Sequence, residues 1–459
     1  MSGLCALSAA DTARAIGGGE ITAEAYARAL SARADETAGL NIFITRNERL
    51  AEQAHAVDLA RARGERLGPL AGVPLLVKDN IDTAGWPTTA GTPALREWRP
   101  KADAPVLARL LEAGALVMGK ANLQELALGI TSNNRAFGPV RNPHDPALIA
   151  GGSSGGTAAG IGGGASPAGL GTDTAGSIRI PASLCGVAGL RPSMGRYPQA
   201  GIVPLSHSRD TAGPVARTVG DLALLHEAIT GEAPSPAPDP RRVRLGLPRA
   251  HFWEDLDAGT AAAASQALDR LGTAGVALVE VDAAEIVALA ARIGRTLTLY
   301  ECVPDLDAYL SASGAPVRAA EVIAAIASPD VAASYARAGG VSREAYVEVR
   351  DVLRPALQRL YRELFAANGV DALLFPATPL PARPVGEDET VELNGRRADT
   401  RSAYLRNTEH AALAGLPALV VTAGFTKAGL PVGLELDGPE GTDARLMAVG
   451  QAIEAVLGA

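Results

Sequence analysis

An α/β fold with a partly parallel sheet is the class this sequence predicts. Three observations lead there. Short apolar runs such as GVPLLVKDNID end in polar residues, as strands entering loops do. Other runs, such as AEAYARALSARADE, place apolar residues every three to four positions, the spacing of an amphipathic helix. From residue 71 onward the two kinds alternate, and alternating strand and helix is the pattern of α/β layering.

In chain order, the first 70 residues read as a helical arm, from ADTARAI and AEAYARALSARADE. VPLLVK then predicts a strand with its exit loop. APVLARLLEAGALVMGKANLQELALG reads as helix, strand and helix. A glycine-rich stretch and RIPASLCGVAGLRPS follow. Residues 231–240, GEAPSPAPDP, form a Pro-rich connector expected to be extended and exposed. Beyond it RVRLGLPRAHF predicts a strand, and AGTAAAASQALDRLGTAGVALVEVD a helix followed by a strand. Residues 285–370 read as mainly helical. DALLFPATPLPARP predicts a strand running into a loop, and ALAGLPALVVTAGFTKAGLPVGLELDGP two late strands around a turn, placed to return to the same sheet.

Composition narrows the function. A hydrophobic share of 47% and a charged share of 20% are ordinary for a globular enzyme and leave no room for long disordered segments. A net charge of -8 carries no electrostatic footprint for nucleic acid. Three scattered cysteines, Cys5, Cys185 and Cys302, suit neither a disulfide framework nor a zinc site, and fit a reducing compartment such as the cytoplasm. The N-terminus lacks the basic start and apolar core of a signal peptide. No apolar run reaches the ~18 residues of a membrane span, so no membrane partner is expected.

The stretch from Gly151 to Gly176 holds eleven of the chain's 51 glycines and needs a local reason. Ala158, Ala159, Ile161, Ala165 and Leu170 make it too apolar for a solvated linker. A phosphate-cradling loop would need a Lys after its last glycine, and no Lys lies between 121 and 426. The glycine spacing also fails the dinucleotide pattern. GSSGG does match G-x-S-x-G around Ser154, but a Ser-His-Asp enzyme then needs a histidine, and His144 and His207 sit in turn-like contexts while His410 lies on a predicted helix. Lysine offers another base. Only four of the 42 Lys+Arg residues are Lys, so Lys78, at the end of an apolar strand, stands where arginine would not serve. Buried lysine can lose its proton and arginine cannot. An ordinary salt bridge from Lys78 to Asp79 or Asp82 explains the residue equally well at this point.

Longer motifs bring a resemblance. GVPLLVKDNIDTAGWPTTAGT, GKANLQELALGITSNNRAFGPVRNPHDP, GGSSGGTAAGIGGGASPAGLGTDTAGSIRIPASLCGVAGLRPS, AGLPALVVTAGF and GLPVGLELDGP resemble the amidase signature family over nearly the whole chain. The resemblance implies one domain over residues 1–459, built on a large mixed β-sheet flanked by helices on both faces. Residues 71–220 would be its signature core and 285–380 a variable helical segment lining the substrate pocket. It implies a Ser–cis-Ser–Lys triad, with Ser177 as nucleophile, Ser153 as the bridging serine after a cis peptide bond, and Lys78 as base. The N–H groups of Thr174, Ala175, Gly176 and Ser177 would hold the oxyanion. Ala127 falls where the family places a backbone wall of the acyl pocket. Asp173, Arg179 and Ser154 would support the loop. Ala175 departs from the Gly of many members but keeps its N–H. Neither metal nor cofactor is implied.

GRYPQAGIVPLSHSRDTAGPVART further resembles the sub-group acting on aryl-acetamides, the indoleacetamide and mandelamide hydrolases. The expected partner is therefore a small, fairly apolar or aryl amide, with esters and carbamates (urethanes) presenting the same carbonyl, to a monomer or homodimer. The alternative is the amidase subunit of a glutamine-dependent amidotransferase complex.

Overall fold

Eleven strands share one mixed sheet in the computed structural model, which describes residues 3–458. The first two residues of the N-terminal arm lie outside the described residues. The strands are β1 (Phe43–Arg46), β2 (Pro74–Lys78), β3 (Leu116–Ala121), β4 (Ala168–Asp173), β5 (Ala188–Arg191) and β6 (Thr211–Ala216). Then come β7 (Arg244–Leu247), β8 (Ala277–Glu280), β9 (Ala372–Pro376), β10 (Ala418–Phe425) and β11 (Pro431–Asp437). Their spatial order is β1-β3-β2-β4-β6-β5-β10-β11-β9-β7-β8. β2 runs parallel to both β3 and β4, and β7 parallel to β8 and β9; the other pairings are antiparallel. The late strands β9 to β11 therefore return to the sheet begun before the Pro-rich connector.

Both faces of this sheet are covered, because side chains alternate along a strand. Leu75 and Val77 of β2 join one apolar cluster, with Ala263, Ala264 and Ala267 of helix Ala258–Thr273. Leu76, between them, joins another cluster, with Ala158 and Ala159 of helix Gly155–Gly162 and Leu30 of helix Ala23–Glu36. Every residue of β2, β4, β5 and β6 is buried, which explains why β2 reads as a continuous apolar run rather than an alternating one.

Two local readings differ from the structure. The arm holds a strand as well as helices: NIFITR supplies β1, which pairs antiparallel with β3 at the sheet's edge. Four residues are too short for periodicity to separate strand from helix. And QELALG is not a helix. Glu125–Ala127 is a single 3₁₀ turn, with Leu126 and Ala127 at φ of 53° and 54°. Tertiary hydrogen bonds outweigh the local pattern there. Leu126 N–H donates to Ala90 O at 2.8 Å, and the Glu125 carboxylate accepts from Ala327 and Ser328 N–H at 3.1 and 2.8 Å.

Candidate active site

Because β2 and β4 are parallel neighbours, their carboxyl ends open at the same edge of the sheet, where α/β sheets bind ligands. Lys78 is the last residue of β2, and Thr172 and Asp173 end β4. Lys78 Nζ lies 2.8 Å from Ser153 Oγ, 2.7 Å from Thr172 Oγ1 and 3.4 Å from Thr172 O. Asn80 Nδ2 donates to the same Thr172 Oγ1 at 3.2 Å. Ser153 follows a cis peptide bond to Gly152. Gly152 has no room for a side chain: a Cβ would sit 2.9 Å from Ser132 N. Ser154 then opens helix Gly155–Gly162.

The loop after β4 carries Thr174 to Ser177. Ser154 N–H donates to Ser177 O at 3.0 Å, which fastens this loop beside Ser153. Asp173 fixes its other end. The carboxylate accepts from Ile178 N–H at 3.0 Å and from Arg179 Nε and Nη2 at 3.1 and 3.0 Å. Arg191 adds 2.5 Å to Asp173 O and 3.1 Å to its Oδ1. Arg179 reaches on to Thr408 O at 2.6 Å and to Glu435. Thr174 Oγ1 donates to Asp210 at 2.5 Å, and Thr408 Oγ1 to Ala175 O at 2.8 Å. Gly176, at φ of 151°, is pressed against Thr408, so no other residue fits there.

Burial sets the electrostatics. It pulls the Lys78 ammonium down to about 7, against the opposing charges of Asp173 and Asp210. Burial alone would raise Asp173, but the guanidinium charges of Arg179 and Arg191 override it and hold the carboxyl well below its usual range. The acids next to Lys78 in sequence are engaged elsewhere: Asp79 lies 3.2 Å from Lys120 Nζ and Asp82 accepts from Tyr309 at 2.7 Å. The simple salt-bridge explanation of Lys78 is thereby set aside. A lysine near neutral pH, hydrogen-bonded to a buried serine, is suited to taking a proton.

The Amidase family profile matches residues 21–447. Indoleacetamide hydrolase of Allorhizobium ampelinum is 38% identical over 98% of both chains. Mandelamide hydrolase of Pseudomonas putida is 38% identical over 95% of this chain and 89% of its own. A crystal structure of an amidase superposes with a TM-score of 0.86 at 35% identity, covering 98% of this chain and 99% of that one. The chain belongs to the amidase signature family. It is an amide hydrolase, on the large mixed sheet that the motifs implied.

In this amidase, Lys78 bonds Ser153, and the backbone of Ser177 is held by the neighbouring Ser154; Ser177 keeps 7% exposure while Ser153 and Lys78 have none. Ser154, centre of the G-x-S-x-G match, points away: its Oγ donates to Thr172 O at 3.1 Å. His144 bonds Cys185 O and His207 pairs with Asp305, so both serve local structure. Several site residues escaped the sequence reading. Asn80, Thr172, Arg191 and Asp210 stand inside or beside the quoted motifs, so their positions were in view without a partner to give them meaning. Glu435 lies within the late motif GLPVGLELDGP, 256 positions from Arg179, and Thr408, 229 positions away, left no local signal.

A cavity of about 790 Å³ opens beside residues 128–131, the segment that follows the Glu125–Ala127 turn. Ile130, on its wall, belongs to the same buried apolar cluster as Ala175 and Ile180. Ala127 lies one residue before Leu128, which begins the wall. The rest of the wall comes from Asn133 and Arg135, from Arg295, Arg337 and helix Pro329–Ala336 within residues 285–380, and from residues 386–401 beyond that segment.

Proposed function

We propose that this amidase hydrolyses small aryl or indole-type amides through Lys78, Ser153 and Ser177. One observation carries the reading: the buried Lys78 Nζ lies 2.8 Å from Ser153 Oγ, at the sheet edge that also holds Ser177. Neutral Lys78 accepts the Ser153 proton as Ser153 accepts that of Ser177. Ser177 Oγ then bonds to the carbonyl carbon, and the C=O electron pair moves onto oxygen. The N–H groups of Thr174, Ala175, Gly176 and Ser177 receive that charge, each such donor being worth about 3 kcal/mol in a transition state. The C–N bond breaks as the proton returns through Ser153 to nitrogen, releasing ammonia or amine. Water repeats the sequence on the acyl-enzyme and frees the acid.

The substrate class follows from the relatives, whose names specify indoleacetamide and mandelamide, both aryl-acetamide amides. Esters and carbamates offer the same carbonyl and are expected as slower substrates. The test is turnover of a matched series, in which one aryl-amine leaving group is presented as acetamide, carbamate and long-chain amide, with a phenyl ester, phenylacetamide and glutamine alongside. Aryl amide turnover that vanishes in Ser177→Ala supports the reading. Undiminished turnover in that variant, or hydrolysis of glutamine alone, overturns it.

A further inference from the structure

Arginines crowd one end of the 790 Å³ cavity. Arg295, Arg337 and Arg401 line it together with Asp399, and the same four residues line a second cavity of about 540 Å³. They are thus the partition between the two. The wall also carries Asp330, Glu387, Asp388 and Glu389; Asp330 accepts from Gln124, Asp388 from Thr131 and Asn133, and Glu387 pairs with Arg397. Asp399 accepts from Ser402 N–H at 2.7 Å, capping helix Thr400–Leu405. Glu409 lies 3.2 Å from Arg209. Among the described residues, Arg295 Nε and Nη2 are buried with no hydrogen-bond partner. Burial draws Arg401 down to about 10, with the charges of Arg295 and Arg209 adding to it and those of Glu409 and Asp399 opposing. Arg295 is lowered by burial too, with Glu409 opposing and Arg337 and Arg209 contributing.

Such an arrangement is costly by itself. Buried guanidinium nitrogens without partners forfeit their hydration, and like charges side by side repel. What relieves both is a planar anion, since a carboxylate accepts two parallel N–H groups from a guanidinium. Glu409, whose charge bears on Arg295 and Arg401, directly follows Thr408, whose hydroxyl donates to Ala175 O. The cavity is of a size that encloses an aryl ligand.

We propose that Arg295, Arg337 and Arg401 form a carboxylate-recognition subsite of the substrate cavity. It rests on the amidase reading above and adds a charge requirement that the aryl-acetamide relatives' names do not contain. The carboxylate has two origins in this chemistry: one borne by the substrate away from its amide, or the one that hydrolysis itself produces.

The experiment compares 4-carboxyphenylacetamide with 4-nitrophenylacetamide, a neutral isostere, and measures inhibition by phenylacetate. It uses the unmodified protein, the double variant Arg295→Gln with Arg401→Gln, and the exposed-site variant Arg337→Gln as a second arm should the double variant not fold. A roughly tenfold kcat/KM preference for the carboxylated amide, reduced in the variants, supports the subsite and assigns it to the substrate. Phenylacetate inhibition weakened about tenfold in the variants, without that preference, supports it and assigns it to the product. A carboxylate-to-nitro ratio and an inhibition constant both unmoved in the variants overturn it. Calorimetry of phenylacetate and 4-carboxyphenylacetamide on Ser177→Ala separates the two readings. If no amide is turned over, the amidase chemistry falls, yet binding lost on Arg337→Gln still upholds the subsite, and absent binding still removes it.

Discussion

Thr408 Oγ1 donates to the Ala175 carbonyl at 2.8 Å across 233 residues of sequence. This bond ties Thr408, at the start of helix Glu409–Ala414, to the loop whose N–H groups are proposed to hold the oxyanion. The loop is thereby held by a partner far along the chain as well as by its own neighbours.

Thr408→Val keeps the shape and removes the donor. A buried carbonyl left without its partner costs about 1–3 kcal/mol. The expected result is a kcat about tenfold lower, with Thr408→Ser restoring most of it. Equal kcat in Thr408→Val and the unmodified protein would show that the loop is positioned without this bond.

Lys78→Arg keeps the charge and removes the base, since guanidinium does not deprotonate in proteins. A fall of about 10²–10⁴ in kcat is expected, the range over which general bases contribute. Circular dichroism checks the fold. Turnover within a few-fold of normal would sink the role assigned to Lys78.

The pH profile follows from the same residue. Lys78 is neutral above about 7. Below that, kcat/KM is expected to rise about tenfold per pH unit and to level off above it, a slope that a single base imposes. Stability has its own sign. The folded chain loses the Lys78 proton near 7 and the unfolded chain near 10.5, so between those values the unfolded state binds more protons and stability rises with pH. Lys78→Met should therefore stabilise the fold more at pH 6 than at pH 9, measured as the urea midpoint.

Arg179 is fully buried between Asp173 and Glu435. Replacing it by Met takes the guanidinium from Glu435 and leaves Asp173 with Arg191 alone, and breaking a buried pair this way costs about 3–5 kcal/mol. A marked drop in the urea midpoint is expected, together with weaker acid sensitivity. Asp173, held low by Arg179 and Arg191, contributes stability that is full above its unfolded value and lost as pH falls toward its lowered one. An unchanged midpoint in Arg179→Met would contradict the network's role.

Much of this was written locally. VPLLVK had to be a buried strand, because an unbroken apolar run bounded by polar residues has few other homes. The scarcity of lysine singled out Lys78, and the glycine-rich composition around Ser153 and Ser177 required a crowded backbone rather than a tether. The two misread segments, NIFITR and QELALG, are those where the outcome depended on partners elsewhere: β3 for the first, and Ala90, Ala327 and Ser328 for the second.

What the sequence alone determined was the layering, the family motifs and the residue types at the sheet edge, because these depend on neighbours within a few positions. Tertiary structure alone decided the rest. It paired Asp79 with Lys120 and so left Lys78 to Ser153, it brought Thr408 and Glu435 to the loop, and it gathered arginines from residues 295, 337 and 401 at one partition. Hydrogen bonds and charge clusters are set by distance in space, and strands far apart in the chain lie side by side in this sheet.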